Sequence, residues 1–201
     1  MNIVVITLPD FVDGEIGVIH QMFRQGLRLL HIRKPHSTID ELAGFIEQIN
    51  KCYYSRITLH DHHALAQRYR LGGIHLNSRN PQPLQDWHGR LSRSCHSFEE
   101  LQVSQIDSCG NSLRFDYQFL SPIYDSISKQ GYESGFTHDR LVEASKQGVI
   151  NQQVYALGGV TLGKIEGLEA LGFGGAALLG EIWKIAQTDE CGFAEYLMKL
   201  L

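Results

Sequence analysis

The sequence predicts a closed (β/α)8 barrel, and three observations point there. Eight short β-rich apolar runs recur along the 201 residues, segments of helical periodicity separate them, and no Pro/Gly/Ser linker, charge block or low-complexity tract marks a boundary. Strict strand–helix alternation calls for a parallel sheet, and with eight units the economical closure is a barrel. Residues 1–201 are accordingly read as one domain, near the lower size limit of that fold. The alternative is a doubly wound open sheet.

The opening run MNIVVIT is rich in β-branched residues and gives the first strand, Ile3–Thr7. The second strand is Arg28–Arg33, followed by a helix over Ile39–Ile49, where Ile39, Leu42, Ile46 and Ile49 fall on one stripe. The third strand, Arg56–His60, leads into a helix over His62–Tyr69, and the fourth is Gly73–Leu76. The stretch Asn77–Gly89 is so short and Pro-rich that any helix before the fifth strand, Arg90–Cys95, must shrink to a turn or two. After the sixth strand, Phe115–Leu120, comes one long irregular stretch, Ser121–Thr137. Loops of that length are often lids, so this one is expected to be mobile without ligand and to close over a site. Helical patterning at Leu141–Lys146, Leu162–Leu171 and Phe193–Leu200 brackets the last two strands, Gln153–Leu157 and Gly175–Leu179.

Composition narrows the function. Eighteen basic against 22 acidic residues leave a net charge of −4, so no basic excess exists to release counterions from nucleic acid. No run approaches the length of a membrane span, and the N-terminus lacks the basic region of a secretory leader. Cys52, Cys95, Cys109 and Cys191 form no CxxC pair, which points to a reducing, cytoplasmic compartment.

In a barrel the chemistry belongs at the C-terminal ends of the strands. Here those ends carry His31 and Arg33, His60 and Asp61, His75 and Asn77, Ser94 and His96, Ser121, Gly158 and Gly159, and Gly180. Side chains alternate along a strand, so His31 and Arg33 share one face and Ile32 and Lys34 the other; an apolar residue such as Ile32 belongs under a helix, which puts His31 and Arg33 inside the barrel. A buried arginine needs an anion: either a ligand, or a structural ion pair for which Asp61 is eligible. Leu157–Thr161 (LGGVT) and Leu178–Glu181 (LLGE) follow the last two strands, where barrel enzymes bind phosphate on glycine-rich turns and helix N-termini. A phosphate is therefore expected at Gly158, Gly159, Leu179 and Gly180; the bland alternative is that the glycines only permit tight turns. The run LHDHH (Leu59–His63), with His31, His75 and His96 on neighbouring strand ends, also raises a histidine-held zinc and a metal hydrolase, although no HExxH pattern occurs.

The blocks LLHIRK (Leu29–Lys34), LHDHHALA (Leu59–Ala66), GGIHLNSRN (Gly72–Asn80), SCHSFEEL (Ser94–Leu101), DYQFLSPIYDSISK (Asp116–Lys129), YALGGVT (Tyr155–Thr161) and GFGGAALLGEIW (Gly172–Trp183) stand in the order and near the spacing of one family. Jointly they resemble the thiamine phosphate synthase superfamily, a family of small (β/α)8 barrels with a synthase branch and a thiazole tautomerase-like branch. The resemblance implies a transferase of thiamine biosynthesis. It joins hydroxymethylpyrimidine pyrophosphate to thiazole phosphate through a dissociative step that uses Mg²⁺. By its motifs Arg33, Ser94 and Lys129 are catalytic contacts to the pyrophosphate, with Ser126 and Ser128 on the same loop as Lys129. His31 and His60 stand at substrate-contacting positions, Asp61 and Asn80 at the metal positions, and Gly158, Gly159, Leu179 and Gly180 at the thiazole-phosphate cradle. The implied partners are small phosphorylated substrates, with a second copy of the chain in a homodimer and neither nucleic acid nor membrane.

The departures fall in one half of that site. The family glutamine is His31, its lysine two residues beyond the arginine is Pro35, the asparagine before the aspartate is His60, and the second metal aspartate is Asn80. Losing a carboxylate implies weakly held, substrate-assisted Mg²⁺. His31-Ile32-Arg33 is closer to the tautomerase-like branch, yet Pro122 stands where that branch has its histidine. A tautomerase-like or thiazole-phosphate-binding barrel is therefore the alternative function.

Overall fold

The computed structural model describes residues 1–125 and 135–201. In order, the elements are β1 (Asn2–Ile6), α1 (Glu15–Arg24), β2 (Leu29–Ile32), α2 (Ile39–Glu47), β3 (Ile57–Leu59), α3 (Ala64–Arg68), β4 (Gly73–Leu76), β5 (Arg90–Cys95), α4 (Phe98–Gln102), β6 (Tyr117–Leu120), α5 (His138–Lys146), β7 (Val154–Ala156), α6 (Ile165–Ala170), β8 (Gly175–Leu178), α7 (Gly180–Thr188) and α8 (Glu190–Leu200). The strands pair in parallel in sequence order, and β8 closes on β1 with Asn2 opposite Gly175, so the sheet is a closed barrel rather than an open sheet. All eight strands lie within or one residue outside the bounds expected from sequence.

The helices follow from caps and apolar stripes. Thr38 accepts from the Glu41 backbone while the Glu41 carboxylate accepts from the Thr38 N–H, a reciprocal cap that starts α2 beside its buried Leu42 and Ile46. Ser97 and Thr137 cap α4 and α5 with their hydroxyls. The helix expected over His62–Tyr69 is shorter because His62 and Arg70 adopt left-handed backbone, with φ of 51° and 54°, and bracket it. That expected from Leu162 begins as a 3-10 turn, Leu162–Lys164, before α6. Between β4 and β5 the chain forms turns and no helix.

Alternation along β2 decides the interior. Leu30 and Ile32 join the large apolar cluster beneath the helices, while His31 between them points into the barrel. The interior is divided. Val4, Ile6, Tyr117, Phe119, Tyr155 and Ala177, from β1, β6, β7 and β8, form a separate apolar cluster. The β2–β5 side is instead filled by buried His31, Thr58, His60, His75 and Ser92.

Lys34 is turned away from the barrel interior, as alternation requires. Its side chain is fully buried, donating to both oxygens of Glu15 at 2.8 and 2.7 Å and to the Asp10 carbonyl at 2.8 Å. The ammonium lies 4.9 and 5.0 Å from the ring centroids of Phe11 and Phe45. Burial pushes the Glu15 carboxyl up and the Lys34 ammonium down, each partly opposed by the other. This pair ties the β1–α1 loop to the end of β2.

Candidate functional site at the barrel mouth

A cavity of about 850 Å³ opens at the C-terminal ends of the strands. Its wall includes Ile6, Leu8, Arg33, Asn77, Arg79, Ser94, His96, Leu157, Leu179 and Gly180, and its polar floor is His60 and His75. Trp183, 1% exposed, donates its indole N–H to the Ile6 carbonyl at 2.7 Å. That bond pins the first turns of α7 to β1 and fixes Leu179 and Gly180 in the wall.

The floor is one hydrogen-bonded layer. His31 Nδ1 and His60 Nε2 share a bond of 2.8 Å, and His31 Nε2 meets the Tyr117 hydroxyl at 2.5 Å. His75 bonds Ser92 through Nδ1 at 2.8 Å and Ser94 through Nε2 at 2.9 Å, which fixes the Ser94 hydroxyl. Burial holds all three imidazoles well toward the neutral form, His75 down to about 3, and pushes the Tyr117 phenol up to about 12. Ring nitrogens of His31, His60 and His75 lie within 4.8 Å of one another. The His60 and His75 rings, however, stack at 4.1 Å and 22°, and both nitrogens of His31 and of His75 are taken by hydrogen bonds to protein groups. This is a polar core layer rather than a zinc ligand set. His96 stands apart, with Nδ1 3.0 Å from the Ser121 carbonyl, and His62 and His63 bond the carbonyls of Ser37 and His75.

These neutral histidines fix a pH dependence. Their folded values lie below the ordinary 6.5, that of His75 at about 3, so as pH falls below 6.5 the unfolded chain binds more protons than the folded one. Stability is full above pH 6.5 and falls as pH drops below it; His75 alone removes about 1 kcal/mol between pH 7 and pH 5.5. His31 and His60 add in the same direction. Urea unfolding at the two pH values checks this, and equal stabilities would contradict it.

Arg33 reaches the cavity wall half-buried, and its guanidinium has no hydrogen-bond acceptor among the described residues; its backbone N–H donates to Thr7. Burial lowers its pKa, as does the charge of nearby Arg79, while Asp61 opposes them. The structural ion pair considered for Arg33 is not formed. Asp61 instead pairs with Arg79, a residue the sequence reading passed over: Nε and Nη2 donate to Asp61 Oδ1 at 3.0 and 2.8 Å. Asp61 Oδ2 is buried without a partner among the described residues. Asn80 spends its amide on the His60 carbonyl at 3.1 Å and lies 3.5 Å from Asp61 Oδ1.

His31 is not part of the cavity wall; it lies beneath His60. Nor do Gly158 and Gly159 line that cavity. Both have positive φ, 94° and 61°, and pack against the chain after β6: a Cβ on Gly158 would meet Pro122 Cα at 2.8 Å, and one on Gly159 the Asp125 carbonyl oxygen at 2.3 Å. Gly159→Ala is therefore expected to cost at least about 2 kcal/mol, left-handed strain plus a forced shift of Asp125. Gly148→Ala, with φ +73° and open space around its Cβ, carries the strain alone at roughly 1 kcal/mol. Equal losses in thermal unfolding would contradict that assignment. Ser126, Ser128 and Lys129, with the expected closure of their loop, lie outside the described residues. Among the described residues no helix is long and apolar enough to cross a membrane.

Comparison with known proteins agrees with this architecture. A family model described as thiamine monophosphate synthase matches residues 3–182. A thiamine-phosphate synthase of Photorhabdus laumondii is 27% identical over 184 residues, covering 86% of this chain and 81% of that protein. The crystal structure of a thiamine phosphate pyrophosphorylase from Bacteroides thetaiotaomicron superimposes with a TM-score of 0.83 at 35% identity, covering 100% of this chain and 95% of that one. A Pyrococcus furiosus thiamine phosphate pyrophosphorylase shares the fold at 13% identity, with a TM-score of 0.72 over 99% of this chain and 93% of its own.

Proposed function

The chain belongs to the thiamine monophosphate synthase family, a family of transferases of thiamine biosynthesis, and from that premise we propose that its mouth cavity joins hydroxymethylpyrimidine pyrophosphate to thiazole phosphate. The bond between the pyrimidine methylene carbon and the diphosphate oxygen breaks, and its electron pair leaves with the diphosphate. The thiazole nitrogen then gives its lone pair to that carbon. The observation that carries this reading is Arg33: a half-buried guanidinium at the wall, with no protein acceptor among the described residues, is suited to the charge that develops on the leaving group. Ser94, oriented by His75, adds a hydroxyl to the same cavity wall. On the other side of β1 from Arg33, the N-terminus of α7 at Leu179 and Gly180 presents free N–H groups to the thiazole phosphate. Gly158 and Gly159 serve that cradle by seating the chain after β6, and Ser126, Ser128 and Lys129 keep the diphosphate contacts their motif implies.

The Mg²⁺ implied by the family does not fit here as a resident ion. Mg²⁺ takes six oxygens near octahedrally. Asp61 has Oδ1 already bonded to Arg79 and offers only Oδ2, and Asn80 contributes no charge. Any metal at this position arrives with the diphosphate. Crystals soaked with thiamine phosphate and pyrophosphate test the reading. Density for diphosphate at Arg33 together with thiazole phosphate at Leu179–Gly180 is expected. Filling of the α7 side alone would support the thiazole-phosphate-binding alternative.

A further inference from the structure

We propose that Arg79 is a second diphosphate-binding residue and supplies, as part of the chain, positive charge that a divalent cation would otherwise bring to this site. The proposal rests on the synthase reading and assigns the charge that reading needs.

The loop that carries Arg79 is built to hold it. Asn77 Oδ1 accepts from the N–H groups of both Arg79 and Asn80, at 2.9 and 3.1 Å, an Asx-type turn closed by the reciprocal backbone bonds of Asn77 and Asn80. The same two asparagines clamp the turn to the barrel through the His60 carbonyl, at 2.8 and 3.1 Å. From that turn the guanidinium reaches back over the strand ends to Asp61.

The mode of pairing leaves Arg79 available. A guanidinium has five N–H donors. Both contacts to Asp61 fall on the single oxygen Oδ1, so the two N–H groups of Nη1 have no protein acceptor among the described residues. The side chain is 45% exposed, while that of Asp61 is 9% exposed. Asp61 is thus a buried anchor, and Arg79 lines the same cavity as Arg33. Two guanidiniums and one carboxylate leave a net positive site. An isolated arginine pair would repel, and an anion with charge to share between them relieves that repulsion. A diphosphate, with acceptor oxygens on two phosphorus centres, suits two planar donor forks. A divalent cation in the same place would face both guanidiniums with only Asp61 in its favour.

The test is a calorimetric titration of the full chain with inorganic pyrophosphate, in metal-free buffer and again with Mg²⁺. Wild type is expected to bind in metal-free buffer and to gain less than about threefold from Mg²⁺. Arg79→Ala should weaken metal-free binding about tenfold or more, with Arg79→Lys intermediate, since it keeps charge but loses the planar fork. Because Arg79→Ala leaves Asp61 buried and unpaired, Arg79→Ala with Asn80→Asp is the companion variant: two carboxylates without the guanidinium should make pyrophosphate binding depend on Mg²⁺ by tenfold or more. The proposal is overturned if wild type binds pyrophosphate only with Mg²⁺, or if Arg79→Ala binds as wild type does without metal. Turnover is measured separately with both organic substrates. A chain that binds pyrophosphate through Arg79 yet forms no thiamine phosphate keeps this inference and loses the synthase reading.

Discussion

Lys34→Met is expected to lower the stability of the fold by about 3–5 kcal/mol, because it leaves the Glu15 carboxylate buried without its cation. The ammonium meets both Glu15 oxygens and the Asp10 carbonyl between two phenyl rings, a set of contacts that neither water nor another side chain can replace. Removing both charges should be far milder: Lys34→Met with Glu15→Leu exchanges a buried ion pair for apolar volume, and such exchanges are often neutral. Urea unfolding of the three proteins gives the comparison. A single-variant loss below about 1 kcal/mol would mean the pair contributes no more than a surface contact.

Arg33→Ala is expected to reduce kcat/KM for thiamine phosphate formation by about 10²–10³, the usual effect of deleting one preorganised donor at developing charge. Its guanidinium has no acceptor among the described residues, so the substitution should leave the unfolding midpoint nearly unchanged. Arg33→Lys should recover part of the rate, since it restores charge without the fork. An unchanged rate in Arg33→Ala would place the leaving group elsewhere.

The barrel was legible because eight short strand runs recur along the chain with helical segments between most of them, the β4–β5 connection excepted. Helices α1, α4 and α7 were not read from the sequence. The α1 stripe of Ile19, Met22 and Phe23 carries the signal, yet α4 has five residues and α7 begins directly at the end of β8. Alternation correctly separated His31 and Arg33 from Ile32 and Lys34. It gave no sign that Lys34 would be buried against Glu15, 19 residues away in sequence. The strand bodies were expected to be largely apolar, whereas His75 and Ser92 join His31, Thr58 and His60 in a polar half of the interior. The strand-end histidines were grouped from sequence, but their bonding to one another and to Tyr117, Ser92 and Ser94 in one buried layer joins residues far apart in the chain and depends on barrel closure. Arg79 escaped notice for a related reason: it stands on a short turn with no periodicity, and the Asp61 it pairs with lies 18 residues earlier. The glycines at 158 and 159 were read as ligand-facing, while their backbone angles and their contact with Pro122 and Asp125 give them a packing duty as well.

The central claim is that this cavity carries out the transfer, and product stoichiometry tests it most directly. The chain is incubated with hydroxymethylpyrimidine pyrophosphate and thiazole phosphate, together and singly, and both thiamine phosphate and released pyrophosphate are quantified. The account predicts equal amounts of the two products when both substrates are present, and no pyrophosphate when the thiazole is omitted. No thiamine phosphate with both substrates present, or pyrophosphate released without it, would contradict the account.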